Sequence, residues 1–169
     1  MEIKTFGVIG AGQMGNGIAQ VAAQAGYSVI MNDIKEEFLK RGVETINRNL
    51  DRQVKKEKIT SPQKKEIIGR IKTSLQIDDF SEADFVVEAA IENESLKKDI
   101  FGKLDTICGK DVILATNTSS ISITRIGAST KRADKVIGMH FMNPVPVMKL
   151  VEIIRGIATS DETFVTTRA

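Results

Sequence analysis

The stretch Val8-Ile9-Gly10-Ala11-Gly12-Gln13-Met14-Gly15 decides the fold, because it joins a short apolar run to three glycines at a fixed spacing. The apolar residues 5–9 are typical of a buried parallel strand, and residues 14–25 are rich in helix formers before Gly26 ends them. A G-x-G-x-x-G pattern between a strand and a helix is the fingerprint of a dinucleotide-binding turn. We therefore predict that residues 10–15 hold the diphosphate of a dinucleotide at the helix N-terminus.

An acidic residue, Asp33, ends the second predicted strand, residues 28–33, and lies 23 residues after Gly10. A carboxylate at this position can accept hydrogen bonds from both hydroxyls of the adenine ribose and repels a 2′-phosphate. We therefore predict NAD rather than NADP as the cofactor, a preference that nearby Lys35 would soften. In the alternative interpretation, Asp33 is a loop residue that only caps the following helix.

Strand and helix patterns alternate along the chain, which predicts an α/β fold with a doubly wound, mostly parallel sheet of the Rossmann type. Residues 39–54 carry an apolar stripe at helical spacing, which predicts a long amphipathic helix. Thr60-Ser61-Pro62 follows it, and we expect Ser61 to cap a second helix and Pro62 to be the first residue of that helix. We expect the two helices to form an inserted helical hairpin. A later helix is expected to bury Leu96, Ile100 and Leu104. The remaining strands are predicted at residues 71–75, 84–88, 112–115, 136–139 and 150–154.

Composition excludes several classes of protein. The 169 residues are 41% hydrophobic and 27% charged, as in an ordinary globular domain, and the net charge of +2 gives no drive toward nucleic acid or membranes. No apolar run approaches the ~20 residues of a membrane span. The single cysteine, Cys108, suits a reducing compartment, and a strand that begins close to Met1 leaves no room for a signal peptide. We therefore expect a cytoplasmic protein.

Polar residues follow the predicted strands at the edge where ligands bind in such folds. His140 is the only histidine, and Glu152 lies 12 residues later in an apolar strand, where an unpaired carboxylate would be costly. A histidine oriented by a carboxylate can accept the proton of an alcohol near neutral pH. In the alternative interpretation, His140 is a core histidine bonded to backbone and Glu152 faces solvent. The run Asn117-Thr118-Ser119-Ser120 has its own alternative as a simple polar turn.

Together these residues resemble the L-3-hydroxyacyl-CoA dehydrogenase family, and within it the short-chain 3-hydroxybutyryl-CoA dehydrogenases of bacterial type. The resemblance covers nearly the whole chain. Besides the glycine loop, it includes Val87-Glu88-Ala89-Ala90, Asn117-Thr118-Ser119-Ser120, Gly138-Met139-His140-Phe141-Met142-Asn143-Pro144 and Pro146-Val147-Met148-Lys149-Leu150-Val151-Glu152-Ile153-Ile154.

The resemblance implies an NAD-dependent oxidoreductase of fatty-acid and butanoate metabolism that interconverts (S)-3-hydroxybutyryl-CoA and acetoacetyl-CoA, without a metal ion. His140 and Glu152 would take the proton from the 3-hydroxyl, and Ser119 would bind the reacting oxygen as a catalytic and substrate residue. The implied cofactor residues beyond the glycine loop and Asp33 are Glu92, Lys97, Asn117 and Asn143. The implied substrate residues include Asn143 again and, for the CoA nucleotide, Asn49 and Lys56 in the helical hairpin.

The family continues into an all-helical second domain that supplies most dimer contacts, whereas this sequence ends at Ala169. We therefore expect residues 1–169 to be one NAD-binding domain of a longer protein, which would be a homodimer or larger. Two alternatives stay open, an isolated nucleotide-binding module and a related beta-hydroxyacid dehydrogenase. A Ser-His-Glu hydrolase is disfavoured because Ser119 lacks a G-x-S-x-G elbow.

Overall fold

The computed structural model describes residues 2–169, and seven strands within this range form one sheet. The order of the strands across the sheet is β3-β2-β1-β4-β5-β6-β7, with the bounds β1 (Thr5–Ile9), β2 (Ser28–Asn32), β3 (Ile71–Ser74), β4 (Phe85–Glu88), β5 (Ile113–Thr116), β6 (Val136–Phe141) and β7 (Val151–Arg155). The first six strands run parallel, and β7 is antiparallel to β6. The predicted doubly wound, mostly parallel sheet is confirmed.

Helices connect the strands or follow them. They are α1 (Gln13–Gln24), α2 (Glu36–Lys55), α3 (Ser61–Gly69), α4 (Glu94–Ile107), α5 (Ile123–Gly127) and α6 (Asp161–Arg168), with short 3-10 helices at Ile77–Glu82 and Ala133–Lys135. Because α2 and α3 both lie between β2 and β3, the predicted helical hairpin is confirmed as an insertion between neighbouring strands. None of the helices within residues 2–169 is long and apolar enough to cross a membrane.

The sheet lies between two layers of helices, and apolar side chains on both of its faces pack against these helices. On one face, Phe6 and Val8 of β1 pack in a cluster with apolar residues of α1 and α2. On the other face, Ile9 packs in a cluster that includes Phe101 and Leu104 of α4. Successive side chains of a strand point to opposite faces, so strands covered on both sides are apolar throughout. The polar side chains are left to the ends of the strands, where the candidate site lies.

The last strand, β7, differs in direction from the strands before it. Only residues 142–150 separate β6 from β7, and they hold no helix. This is too short for the crossover that a parallel pair requires, so β7 returns antiparallel and its Glu152 lies opposite His140. The sequence pattern predicts the strand itself but not its direction.

The start of α3 differs from the expectation that Ser61 caps it. Thr60 is the N-cap, because its hydroxyl accepts a hydrogen bond from the Gln63 backbone N–H at 3.3 Å and its own N–H donates to the Gln63 side chain at 2.7 Å. Ser61 is the first helical residue and Pro62 the second. This capping box requires an acceptor side chain three residues after the cap, which Gln63 supplies for Thr60 and Lys64 cannot supply for Ser61.

The buried face of α4 was also predicted wrongly in part. Lys97, Phe101 and Leu104 are buried, whereas Leu96 is exposed and Ile100 is only half-buried. The buried positions still recur at helical spacing, but one of them is a lysine, which a search for apolar periodicity passes over. A buried carboxylate on β4 allows this lysine to face inward, as described below.

Candidate active site

The glycine loop, residues 10–15, turns from β1 into α1 in a conformation that two of its glycines make possible. Gly10 has a φ of 94°, and a Cβ built on it would lie 2.7 Å from the carbonyl oxygen of Ala89. A Cβ on Gly15 would lie 1.8 Å from the carbonyl oxygen of Gly10. The first turn of α1 therefore packs against the end of β1 more closely than any side chain would allow.

The N-terminus of α1 is left open by the same loop. The helix begins at Gln13 with Gly12 as its N-cap, and no side chain caps it. The first N–H groups of a helix have no partner within the helix, and nothing lies within 4 Å of a Cβ built on Gly12. Ala11 is buried below the loop and Met14 packs half-buried against the core. Free backbone donors beside open space fit the diphosphate of a dinucleotide.

Asp33 lies directly after β2, and its carboxylate is tied to the glycine loop. Oδ2 accepts a hydrogen bond from the Ala11 backbone N–H at 2.7 Å, and Oδ1 accepts one from the N–H of Ile34, also at 2.7 Å. The alternative role as a helix cap does not apply, because the N-cap of α2 is Lys35 and no side chain caps that helix. Each carboxylate oxygen keeps lone pairs for ribose hydroxyls. The ammonium of Lys35 lies 5.5 Å from the centre of the Phe38 ring.

A cleft of about 410 Å³ opens between the glycine loop, α2 and the chain that follows β6. Gln13 bridges it, since its Nε2 donates to Asn143 Oδ1 at 3.2 Å. Asn49 of α2 lines the cleft, and its Nδ2 donates to Gln20 Oε1 at 3.2 Å. Lys56 is the C-cap of α2, exposed and about 10 Å further along the helix axis. The lining residues are Ala11, Gly12, Gln13, Asn16, Arg41, Gly42, Thr45, Asn49, Asn143, Pro144, Val145 and Pro146.

A buried ion pair joins β4 to α4 behind the carboxyl end of the sheet. The Lys97 ammonium lies 2.7 Å from Glu88 Oε1, and the two side chains are 1% and 0% exposed. Glu88 also accepts hydrogen bonds from the Thr116 hydroxyl at 2.7 Å and the Ala90 N–H at 2.6 Å, and Lys97 donates to the Ala90 carbonyl at 3.2 Å. The predicted cofactor residue Lys97 is thus enclosed, with its ammonium bound by groups of the protein.

Glu92 links this buried pair to the turn after β5. Its Oε1 lies 3.2 Å from the Lys97 ammonium, and its Oε2 accepts hydrogen bonds from the hydroxyls of Thr118 at 2.7 Å and Ser120 at 3.1 Å. Burial raises the pKa of the Glu92 carboxyl, but hydrogen bonds from Thr118 and Lys97 and the Lys97 charge outweigh burial and lower that pKa below its usual value. The side chain is still 47% exposed. Thr118, Ser120 and Glu88 were not among the predicted site residues, although a carboxylate at the end of an apolar strand was an available signal for Glu88.

His140 and Glu152 face each other across β6 and β7. The Nδ1 of His140 lies 2.8 Å from Glu152 Oε2, and the two residues are directly opposite in the antiparallel register, which brings side chains to one face. The side chains are 21% and 51% exposed. A carboxylate at Nδ1 favours the tautomer with its proton on Nδ1 and leaves Nε2 as a hydrogen-bond acceptor. This arrangement can act as a general base.

The turn after β5 brings Asn117 and Ser119 to the edge of the sheet beside β6. Asn117 is half-buried, and its Oδ1 accepts a hydrogen bond from the Phe141 backbone N–H at 2.8 Å. Ser119 is exposed and follows the strand next to the one that carries His140. Within residues 2–169, no group of three or more His, Cys, Asp or Glu side chains is arranged to hold a metal ion.

Comparison with known proteins shows which family the chain resembles. The model of the family described as 3-hydroxyacyl-CoA dehydrogenase, NAD binding domain, matches residues 5–169. The chain is 53% identical over 162 residues to a 3-hydroxybutyryl-CoA dehydrogenase of Bradyrhizobium diazoefficiens, an alignment that covers 96% of this chain and 55% of the relative. It is 52% identical to a probable 3-hydroxybutyryl-CoA dehydrogenase of Bacillus subtilis, with 96% of this chain and 57% of the relative covered.

A solved structure shows the same likeness. The crystal structure of (S)-3-hydroxybutyryl-CoA dehydrogenase from Ralstonia eutropha superposes with a TM-score of 0.97 at 52% identity. The superposition covers 99% of this chain and 59% of that one. The chain therefore spans between half and two thirds of the length of these three relatives.

Proposed function

Because the chain belongs to the 3-hydroxyacyl-CoA dehydrogenase family, as its NAD-binding domain, we propose that it carries the cofactor site and the proton-transfer pair of an enzyme that interconverts (S)-3-hydroxybutyryl-CoA and acetoacetyl-CoA. NAD, when bound, supplies the acceptor for the hydride from C3 of the hydroxyacyl substrate. The observation that carries the proposal is the 2.8 Å hydrogen bond between His140 and Glu152, which leaves the outer imidazole nitrogen available to a substrate hydroxyl.

His140 is the proposed base. In the oxidation direction, its Nε2 accepts the proton of the 3-hydroxyl, and the imidazole becomes a cation that the Glu152 carboxylate stabilises through Nδ1. In the reduction direction, the same imidazolium returns the proton to the oxygen of the ketone. Ser119 donates a hydrogen bond to that oxygen, and Asn143 helps to shape the pocket around it.

The proposed cofactor residues each contact a different part of the dinucleotide. The backbone N–H groups of the glycine loop bind the diphosphate, Asp33 binds the adenine ribose, and Glu92 binds the nicotinamide ribose, with Asn143 nearby. Lys97 is enclosed, so we assign it an indirect role in which it holds Glu92. The Asp33 carboxylate opposes a 2′-phosphate, which favours NAD over NADP.

The proposed substrate partner is an acyl-CoA whose nucleotide lies along α2. Asn49 lines the cleft, and Lys56 lies at the end of the same helix. Residues 35–72 contain twelve Lys and Arg against six Asp and Glu, which complements the phosphates of CoA. Lys56→Ala should raise the KM for acetoacetyl-CoA and leave the affinity for NADH unchanged; an unchanged KM would assign Lys56 to a solvated helix face.

A second candidate function is that of a nucleotide-binding module. It is favoured by the cleft at the glycine loop, whose lining residues all belong to this chain. Oxidation of NADH in the presence of acetoacetyl-CoA distinguishes the two, together with fluorescence titration of NADH. Absorbance loss at 340 nm that requires acetoacetyl-CoA supports the dehydrogenase, and NADH binding without absorbance loss supports the module.

We further propose that the whole protein is a homodimer or larger and works in the cytoplasm. Large apolar side chains are exposed in the last part of the chain, among them Val147 at 73% and Ile157 at 89%. The single, buried Cys108 suits a reducing compartment. The isolated chain should self-associate in light scattering or melt at low temperature; a clean monomer that melts cooperatively above ~65 °C would contradict this.

A further inference from the structure

The strand that carries His140 extends past the end of its parallel neighbour. β5 ends at Thr116, which is opposite Gly138 of β6. The last residues of β6, Met139 to Phe141, therefore pair through the sheet on one side only, with antiparallel β7. Backbone groups on the other side of this strand end need a partner outside the ladder, since a strand edge presents unpaired N–H and C=O groups.

The side chain of Asn117 supplies that partner. Its Oδ1 accepts a hydrogen bond from the Phe141 backbone N–H at 2.8 Å, in the place where a carbonyl of a longer β5 would bind. The Asn117 backbone N–H donates at the same time to the carbonyl of Glu88 on β4, at 2.8 Å. One residue thus continues the ladder toward both neighbouring strands after β5 itself has ended.

We propose that Asn117 is a positioning residue for His140. By holding Phe141, the next residue along the strand, Asn117 keeps the imidazole of His140 in register with Glu152. The resemblance to the family implies a cofactor contact for Asn117, but its oxygen is already bound to backbone. The inference rests on the proposed function for its kinetic consequence, whereas its structural consequence can be measured without turnover.

Nuclear magnetic resonance of the imidazole tests the inference directly. His140 is the only histidine in the chain, so ¹⁵N spectra of protein freed of any histidine tag report this ring alone. The wild-type chain should show one tautomer, with the proton on Nδ1. Asn117→Ala removes the acceptor for the Phe141 N–H and should give a mixture of tautomers. Asn117→Asp keeps an acceptor oxygen in place and should preserve the wild-type tautomer.

A matched control comes from the other side of the sheet. Asn32 ends β2, is buried, and donates through Nδ2 to the Ser74 carbonyl of β3 at 3.0 Å. Asn32→Ala removes a similar link between strand ends and should lower stability without changing the His140 tautomer. If the His140 spectrum of Asn117→Ala matches that of Asn32→Ala, the positioning role is wrong.

A second variant covers the case in which Asn117→Ala does not fold. Asn117→Ser shortens the side chain and leaves room for a water, and it should give the same mixture of tautomers. If neither variant folds while Asn117→Asp does, Asn117 is a purely structural residue and the inference is overturned.

Kinetics separate positioning from cofactor binding. In the whole enzyme, Asn117→Ala should lower kcat by about 10²-fold, the effect of a misplaced catalytic group, while the Kd for NADH stays unchanged. A raised Kd for NADH with an unchanged kcat at saturating NADH would assign Asn117 to the cofactor instead. If the wild-type enzyme does not turn over acetoacetyl-CoA, the proposed function fails, and the spectra of His140 still decide the positioning role.

Discussion

Two pairs, each of a basic and an acidic side chain, lie near the carboxyl edge of the sheet. The distances between their nitrogen and oxygen atoms are almost the same, yet the pairs differ in exposure. The Lys97 ammonium is 2.7 Å from Glu88, with the side chains 1% and 0% exposed. The His140 ring is 2.8 Å from Glu152, with the side chains 21% and 51% exposed. The first pair has its partners within the protein, whereas the second leaves one imidazole nitrogen for a ligand. Distance alone therefore does not distinguish the proposed proton-transfer pair from a structural ion pair, whereas burial and remaining hydrogen-bond capacity do.

The largest expected effect on stability comes from breaking the buried pair. Lys97→Met leaves Glu88 buried without its counter-charge, which should lower the free energy of unfolding by about 3–5 kcal/mol in urea titrations. The double variant Lys97→Met/Glu88→Gln removes the stranded charge and should recover much of this loss. A single variant that loses less than about 1 kcal/mol would show that the pair is not the buried element described here.

The exposed pair should behave in the opposite way. Glu152→Gln removes the charge that stabilises the His140 imidazolium, so kcat should fall by about 10²-fold while the free energy of unfolding changes by less than about 1 kcal/mol. Glu66→Gln is the matched control, because Glu66 forms an exposed ion pair with Arg70 on the helical hairpin. The control should change stability equally little and leave turnover unchanged. Equal turnover in the two variants would remove the distinction between the pairs.

Glu92 contacts the buried Lys97 but is itself half-exposed. Replacing it should have the smallest effect on the free energy of unfolding. Because its pKa is lowered in the folded chain, the carboxylate stabilises the fold above its unfolded pKa, and that contribution is lost as the pH falls through the folded pKa. The free energy of unfolding of the wild type should exceed that of Glu92→Gln by less than about 1 kcal/mol at pH 7, and the difference should shrink as the pH falls below the usual Glu pKa of about 4.3. Urea titrations across this range measure it; a difference that grows in acid would contradict the assignment.

The sequence was sufficient to predict features that depend on local pattern. The central parallel strands β1, β2, β4 and β5 are largely apolar because both of their faces are covered, and the glycine spacing specifies the loop between β1 and α1. His140 and Glu152 were recognisable as a candidate pair because His140 directly follows a predicted strand at the edge where ligands bind and Glu152 is a carboxylate within an apolar strand. Their hydrogen bond follows from the antiparallel return of β7, which the apolar pattern does not determine.

Features that depend on a distant partner were not predictable. Lys97 faces inward because Glu88, on a different element, neutralises it, so an apolar stripe through Leu96 was the wrong choice. The oxygen of Asn117 is bound to Phe141 because β5 is shorter than β6, and strand ends are difficult to locate from a sequence. The cap of α3 at Thr60, in contrast, was predictable, because the sequence shows Gln63 three residues later, where it completes a capping box.

We propose that the exposed pair of His140 and Glu152 transfers the proton and that the glycine loop binds the cofactor independently of this pair. The turnover of acetoacetyl-CoA by the whole enzyme carrying His140→Gln, measured alongside its affinity for NADH, tests this most directly. We predict that turnover falls by about 10³-fold while the Kd for NADH stays at its wild-type value. Normal turnover in His140→Gln would show that His140 is not the base.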